Sequence, residues 1–395
     1  MHTTASAGGL RRWRRADLAA HPLRGLPPPD HQSEVFAMNP MKKLFAQTAR
    51  RARFAARPRR LAALLAAALL AVSLAGCGAG ASSSAPASVS AASSAAAQSA
   101  SAGGGTLTVG LLQLVTHPSL DEIRTAITKE LESGAAAKGL TLKIDYKNAE
   151  NDLSAIDSIC RGFVAEKADV IVAIATPAAQ GAAKAAAGTG IPVIFSAVTD
   201  PVAAGLVSDE SAPDLGATGT SDAIPVGEIF DLAGKLTPDA KKFGLLYSTG
   251  EVNSQTVIAQ AKQLLDSRGV AYEEKGIASL SDLQTAVTAL AGEVDAVFIP
   301  IDNTIASAMS TVADICTRAG VPVYVSADSM VADGGLATVG VNYTNLGTQT
   351  ADMALAALTG TPVSALPVET LKEYSVAVNK DTAAALGVDV SAYAK

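Results

Sequence analysis

The residues best suited to chemistry in this chain are short polar groups that end apolar runs. Thr176-Pro177 stands between the run VIVAIA and the helical stretch PAAQGAAKAAA. The Thr176 hydroxyl and the free amides after Ala175 therefore gather at a helix amino end, where a carboxylate is favoured. The matching position later in the chain is Asp302, followed by Asn303 and Thr304. A carboxylate there reads as the partner of an ammonium group or as the cap of the next helix. Thr116, Ser119 and Leu120 follow the run VGLLQ, and Ser119 is expected to cap the helix DEIRTAITKEL while facing the same space. Ala197, Thr199 and Asp200 end a further run, with Asp200-Pro201 reading equally well as a turn. Glu251, Asn253 and Ser254 follow FGLLYSTG as candidates for an amino or a carboxylate group. Asp328 and Met330 lie after VPVYV, with Met330 as an adaptable apolar wall. Ser221 and Asp222, in TGTSDAIP, belong to a hinge or to the site, and Tyr343 is a packing residue or a contact.

Catalytic chemistry finds little to work with. Three of the four histidines (His2, His21, His31) fall near the start, leaving His117 as a loop-shaping or stacking residue. A Ser-His-Asp triad could be built only around His117, and a His-based zinc site lacks a second ligand. Cys77, Cys160 and Cys316 are far apart with no CxxC spacing, and Cys160 and Cys316 read as buried free thiols. No GxGxxG follows a strand and no GxxxxGK[ST] is present, so dehydrogenase and nucleotide-transferase readings have no signature. No metal and no cofactor is expected.

The elements that position these groups are written twice. VGLLQ (109–113) answers FGLLY (243–247), ADVIVAIATPAAQ (168–180) answers VDAVFIPIDNTIA (294–306), and IPVIFSAVTD (191–200) answers VPVYVSADSM (321–330). Apolar β-branched runs alternating with helical stretches read as βαβ units on parallel sheets. The fold class is therefore α/β, with two Rossmann-like lobes joined by a hinge and a ligand cleft at the facing strand ends. The lobes are expected at 106–222 plus 337–362 and at 223–336 plus 363–395, with crossovers near 218–225 and 336–342.

The 395 residues carry 31 Lys+Arg and 37 Asp+Glu, unevenly placed. Thirteen basic residues lie before residue 61 against three acids, leaving 18 basic and 34 acidic groups afterwards. That acidic body excludes a nucleic-acid partner, whose phosphates need clustered Lys and Arg. From Met41 a basic region precedes the apolar run Leu61–Leu74 and a small-residue site, the order of an export signal. That run is shorter than the ~20 residues a membrane-spanning helix needs. Leu74-Ala75-Gly76-Cys77 resembles the bacterial lipoprotein box, which implies lipidation of Cys77 and a new amino terminus there. Residues 1–40 fit no part of the signal, so translation is expected to start at Met38 or Met41. The signal peptide is expected at 41–76, and residues 77–105 read as the lipidated Cys and a flexible Ala/Ser/Gly tether. Localisation is expected at the cell membrane, lipid-anchored on the extracytoplasmic face.

HPSLDEIR, IDYKNAENDLSAI, IATPAAQ, SAVTDPVAAGLV, YSTGEVNS, PIDNTIASAM and GVNYTNLG together resemble the tryptophan/tyrosine-type ABC transporter substrate-binding proteins, from about Thr106 to Asn379. The resemblance implies a type I periplasmic-binding-protein fold that captures a small ligand, an aromatic amino acid, and delivers it to a permease with its ATPase. Carboxylate and ammonium partners on opposite lobes would then make closure depend on both ends of the ligand. Branched-chain amino acids, sugars, nucleosides or a sensory role are the alternatives on the same fold.

Overall fold

The computed structural model describes residues 105–393; the expected leader, signal peptide, lipidation site and nearly all of the tether lie outside the described residues. The first lobe opens with β1 (Thr106–Gln113), α1 (Pro118–Ala137), β2 (Thr141–Asn148), α2 (Leu153–Ala165), β3 (Val170–Ile174), α3 (Thr176–Ala186), β4 (Val193–Ser196) and β5 (Ala217–Ser221). The second runs through α4 (Val226–Leu236), β6 (Lys242–Ser248), α5 (Val252–Arg268), β7 (Ala271–Ile277), α6 (Leu280–Ala291), β8 (Ala296–Ile299), α7 (Asn303–Ala306), α8 (Met309–Arg318), β9 (Val323–Val325), α9 (Asp328–Ala332) and β10 (Ala337–Gly340). The chain returns through α10 (Tyr343–Leu358), β11 (Glu369–Thr370), β12 (Ser375–Val378) and α11 (Lys380–Leu386).

Two six-stranded sheets result, in the orders β11-β5-β4-β3-β1-β2 and β12-β10-β9-β8-β6-β7. All pairings are parallel except β10 with β12. Helices cover both faces, so central strands such as β3, with VIVAI buried throughout, are continuously apolar rather than alternating. Local chemistry sets the element ends: the Asp152 carboxylate accepts from the Ser154 and Ala155 amides, and Gly269 and Gly387 end α5 and α11 in the left-handed conformation.

The cores differ in kind. The first is mainly aliphatic around Leu111, Ile127, Leu131 and Ile171, with Phe163 and Phe195 buried among them. The second gathers aromatic rings, with Phe230 5.1 Å from Phe243 and 5.0 Å from Phe298 between centroids. Cys160 and Cys316 are buried free thiols, and burial pushes both up to about 12.

Three crossovers join the lobes, after β5, β10 and β11, all at one side of each sheet. The lobe boundaries expected at 337 and 363 move. β10 closes the second sheet by pairing antiparallel with β12, while β11 stays with β5 of the first. The second crossover therefore follows Gly340 and the third follows Thr370. The edge strands β2 and β7 lie farthest from the hinge, which places the cleft mouth on their side.

The first sheet is tightest at Gly219 of β5. A Cβ there would lie 1.9 Å from the Phe195 carbonyl oxygen of β4. Backbone cannot yield as a side chain does, so Gly219→Ala is expected to cost at least ~3 kcal/mol. Urea unfolding checks this; an unchanged midpoint would contradict the packing described.

Candidate functional site

The carboxyl ends of the two sheets face each other, and the βα loops that leave them form the cleft. A small, nearly closed cavity of about 10 Å³, room for about one water, lies between the lobes. From the first lobe His117, Ser119, Leu120 and Asp222 line it; Ile301, Asp302, Asn303, Ala306, Ala327 and Met330 line it from the second, with Tyr343 from the hinge. The walls are largely apolar, and the polar groups sit in a few positions, the usual make-up of a small-ligand site.

Asp222 is the group with most to offer. It is fully buried at the hinge end of β5, where Thr199 donates its hydroxyl proton to Oδ1 at 2.9 Å. Its Oδ2 is buried without a partner. Burial pushes this carboxyl up to about 6, and the Thr199 hydrogen bond offsets part of that rise. Ser221 supports the turn, donating to the Thr199 carbonyl at 3.1 Å.

Asp302 is occupied differently. Its Oδ2 accepts from the Ser248 amide at 2.6 Å and its Oδ1 from the Ile305 amide at 2.9 Å, which caps α7. Burial, then the charge of Glu251, push it up to about 8. The cap reading accounts for its geometry, and the cavity carboxylate with an open oxygen is Asp222.

Glu251, Asn253 and Ser254 do not face the cavity. Glu251 is buried and accepts five hydrogen bonds, from the Asn303 and Thr304 amides, the Asn303 and Asn253 side chains and the Thr304 hydroxyl. Asn253 and Ser254 donate to the Ile301 carbonyl at 2.7 and 3.4 Å. These three residues brace the loop that carries Asp302, Asn303 and Thr304.

Among the described residues, side-chain hydrogen bonds join the lobes at three pairs: His117 Nε2 with Asn303 Oδ1 at 3.1 Å, Asn151 Nδ2 with Thr304 Oγ1 at 3.0 Å, and the hydroxyls of Ser119 and Ser329. Burial holds the His117 imidazole below its ordinary range. Ser329 lies in the stretch Asp328 to Met330, expected beside the cleft, whereas Asn151 is absent from the sequence expectations. Asn151 takes a left-handed backbone at φ 59, next to Glu150 at φ 51, a conformation Asn tolerates better than most residues.

Several expected residues stand elsewhere. Thr116 is exposed and accepts from the Asn148 amide group at 2.7 Å, because the chain turns outward before His117. Ser119 lies inside α1, whose cap position is His117, so it lines the cavity without capping. Asp328 is exposed at the start of α9. Asp200 accepts from the Ala203 amide at 2.8 Å, the turn reading. Ala175 and Ala197 sit at strand ends with φ of 80 and 55, strained values for alanine that hold the β3 and β4 loops tight over the cleft. The Thr176 hydroxyl is buried and unpartnered, but Thr176 does not line this cavity. Pro177 lines a second interlobe groove at the mouth, with Asn151, Leu153 and Leu280.

Among the described residues no cluster of His, Cys, Asp or Glu could hold a metal ion. No described helix is long and apolar enough to cross a membrane.

Comparison with known proteins decides the family. The sequence model described as ABC transporter substrate binding protein matches residues 108–393. The chain belongs to this family. Its members are binding proteins rather than enzymes, and the lobes form the type I periplasmic-binding-protein architecture. This substrate-binding protein is 38% identical over 278 residues to the tyrosine-binding protein of Clostridioides difficile strain R20291, covering 70% of this chain and 80% of the relative. It is also 38% identical to a Streptococcus pneumoniae ABC domain solved in complex with L-Trp, with TM-score 0.69 over 72% of this chain and 96% of that one. Against the ligand-free, open structure of a Clostridium difficile substrate-binding protein with adhesive properties, the identity is again 38%, over 72% of this chain and 95% of that one, but the TM-score is 0.56. At equal identity the lobes match the ligand-bound neighbour better than the open one, in keeping with the three interlobe pairs.

Proposed function

We propose that this chain is an extracytoplasmic, lipid-anchored solute-binding protein that captures an aromatic amino acid between its lobes and presents it to the permease and ATPase of an ABC importer. The observation that carries this reading is Asp222, a buried carboxylate with one open oxygen in a cavity walled by Leu120, Ile301, Met330 and Tyr343. An α-ammonium group satisfies that oxygen. The carboxylate of the ligand lies at the amino end of α1, where the Ser119 and Leu120 amides belong to the unpaired first turn and the dipole is positive. The apolar wall takes the ring, and His117 lies beside it.

The lining, a carboxylate with an open oxygen among apolar side chains, suits one amino acid better than an oligosaccharide or dinucleotide, whose many polar groups would each need a partner. The relatives named for tyrosine and solved with L-Trp point the same way. Anchoring rests on the lipoprotein box ending at Cys77.

Thermal unfolding of the protein with single amino acids, sugars and nucleosides tests the ligand class. A ligand at 100 times its Kd stabilises by about 2.7 kcal/mol. Stabilisation by L-tryptophan or L-tyrosine is expected. Stabilisation by sugars or nucleosides alone would remove the aromatic reading.

A further inference from the structure

We propose that Glu251 sets the hydrogen-bond polarity of two clasps between the lobes, acting as a positioning residue for closure and not as a ligand contact. The inference rests on the reading of the chain as a protein that closes around a ligand, but not on which ligand it takes.

An ionised carboxylate can only accept hydrogen bonds. Glu251 Oε1 takes the Thr304 amide at 2.8 Å and the Thr304 hydroxyl at 2.7 Å; Oε2 takes the Asn303 amide at 3.1 Å and Asn303 Nδ2 at 2.7 Å. With Asn253 Nδ2 added at 3.1 Å, no acceptor position remains for a ligand. The consequence passes outward through both partners. Thr304 has one hydroxyl proton, and it is given to Glu251, so its oxygen meets the other lobe as an acceptor. Asn151 Nδ2 supplies the donor at 3.0 Å. Asn303 turns its amide nitrogen to Glu251, so its Oδ1 meets the other lobe as an acceptor, and His117 Nε2 must donate at 3.1 Å. One buried carboxylate thus makes the second lobe present two acceptors and the first lobe two donors. In the neutral imidazole this leaves Nδ1, buried and without a protein partner, as a lone pair beside the ligand space.

The Ser119 and Ser329 hydroxyl oxygens, 2.5 Å apart across the lobes, provide a reporter. The full chain carrying Ser119→Cys, Ser329→Cys and Cys77→Ser forms an interlobe disulfide under mild oxidant at a rate that follows the population of the closed state. Cys160 and Cys316 stay silent, being buried with thiols pushed up to about 12. Adding Glu251→Gln, which keeps the shape but must turn its NH2 toward Thr304, because the other oxygen already takes three N–H donors, is expected to slow crosslinking at least ~10-fold without added ligand, about 1.4 kcal/mol of closure. The polarity claim makes a sharper demand on Asn151. Asn151→Asp places an acceptor against an acceptor and is expected to slow crosslinking more than Asn151→Ala. Combined with Glu251→Gln, which frees the Thr304 proton, the same Asn151→Asp change is expected to restore much of the lost rate.

A Glu251→Gln chain that melts like its parent and crosslinks within twofold of it overturns the proposal. So does an Asn151→Asp defect that is equal in both backgrounds. Should Glu251→Gln fail to fold, equal rates for Asn151→Asp and Asn151→Ala overturn it alone. L-tryptophan and L-tyrosine are added in a separate arm. If neither accelerates crosslinking the aromatic reading fails, while the ligand-free rates still judge Glu251.

Discussion

Asp222→Asn is expected to weaken binding of L-tryptophan and L-tyrosine about 100-fold while leaving the ligand-free protein as stable as before or more so. The two effects have one cause. Asp222 is fully buried, has one hydrogen bond from Thr199, and leaves Oδ2 unpaired. An ionised carboxylate held that way is costly to the empty protein, so the amide relieves it. Removing one partner of a buried charge pair costs about 2–5 kcal/mol in binding, and 100-fold is about 2.7 kcal/mol. Calorimetric titration and thermal unfolding of the same variant check both halves. A variant that is less stable yet binds normally would make Asp222 a structural residue of the hinge.

The second large effect is on pH. The Asp222 carboxyl is pushed up to about 6 by burial, and an ammonium ligand requires its charged form. Affinity is therefore expected to be flat above pH ~6 and to fall by about tenfold per unit below it, with a proton released on binding near pH 6. For the empty protein the sign reverses. A group whose folded pKa is raised favours the folded state at low pH, and this contribution is lost as pH climbs from the ordinary carboxylate range through about 6. Asp302, raised by burial and by the charge of Glu251, acts in the same direction. His117 lines the same cavity and also loses its acceptor on protonation, but burial holds it below its ordinary range. Asp222→Asn separates the groups: it is expected to abolish the step near pH 6. Titrations in buffers of different ionisation enthalpy count the proton. A pH profile unchanged by Asp222→Asn would assign the step to another group.

The fold was legible because it is written twice: FGLLY repeats VGLLQ, and each run that ends at Thr176 or Asp302 is a strand entering a helix. The apolar cavity wall was legible in Leu120 and Met330, apolar residues in the first turn of helices that follow strands, although Thr116 and Asp328 beside them turn outward. Asp222 was harder. TGTSDAIP looks like a linker, and only the packing of Tyr343 and Thr199 around it turns a hinge residue into a buried carboxylate. The acidic loop residues misled in the opposite sense. Glu251 and Asp302 are as polar in sequence as any ligand partner, and nothing local shows that their oxygens are taken by Thr304, Asn303, Ser248 and Ile305. Asn151 and Thr304 lie 153 positions apart and meet only when the lobes do. The lobe boundaries shifted because β10 and β11 are short strands whose sheet is chosen by their neighbours, β12 and β5.

The central claim is that the cleft recognises an α-amino acid through the ammonium group at Asp222. Calorimetric titration at pH 7 with L-tryptophan and with indole-3-propionate, the same molecule without its amino group, tests it most directly. Tight binding of L-tryptophan with at least ~100-fold weaker binding of indole-3-propionate is the predicted result. Equal affinity for the two, or binding of neither, would contradict it.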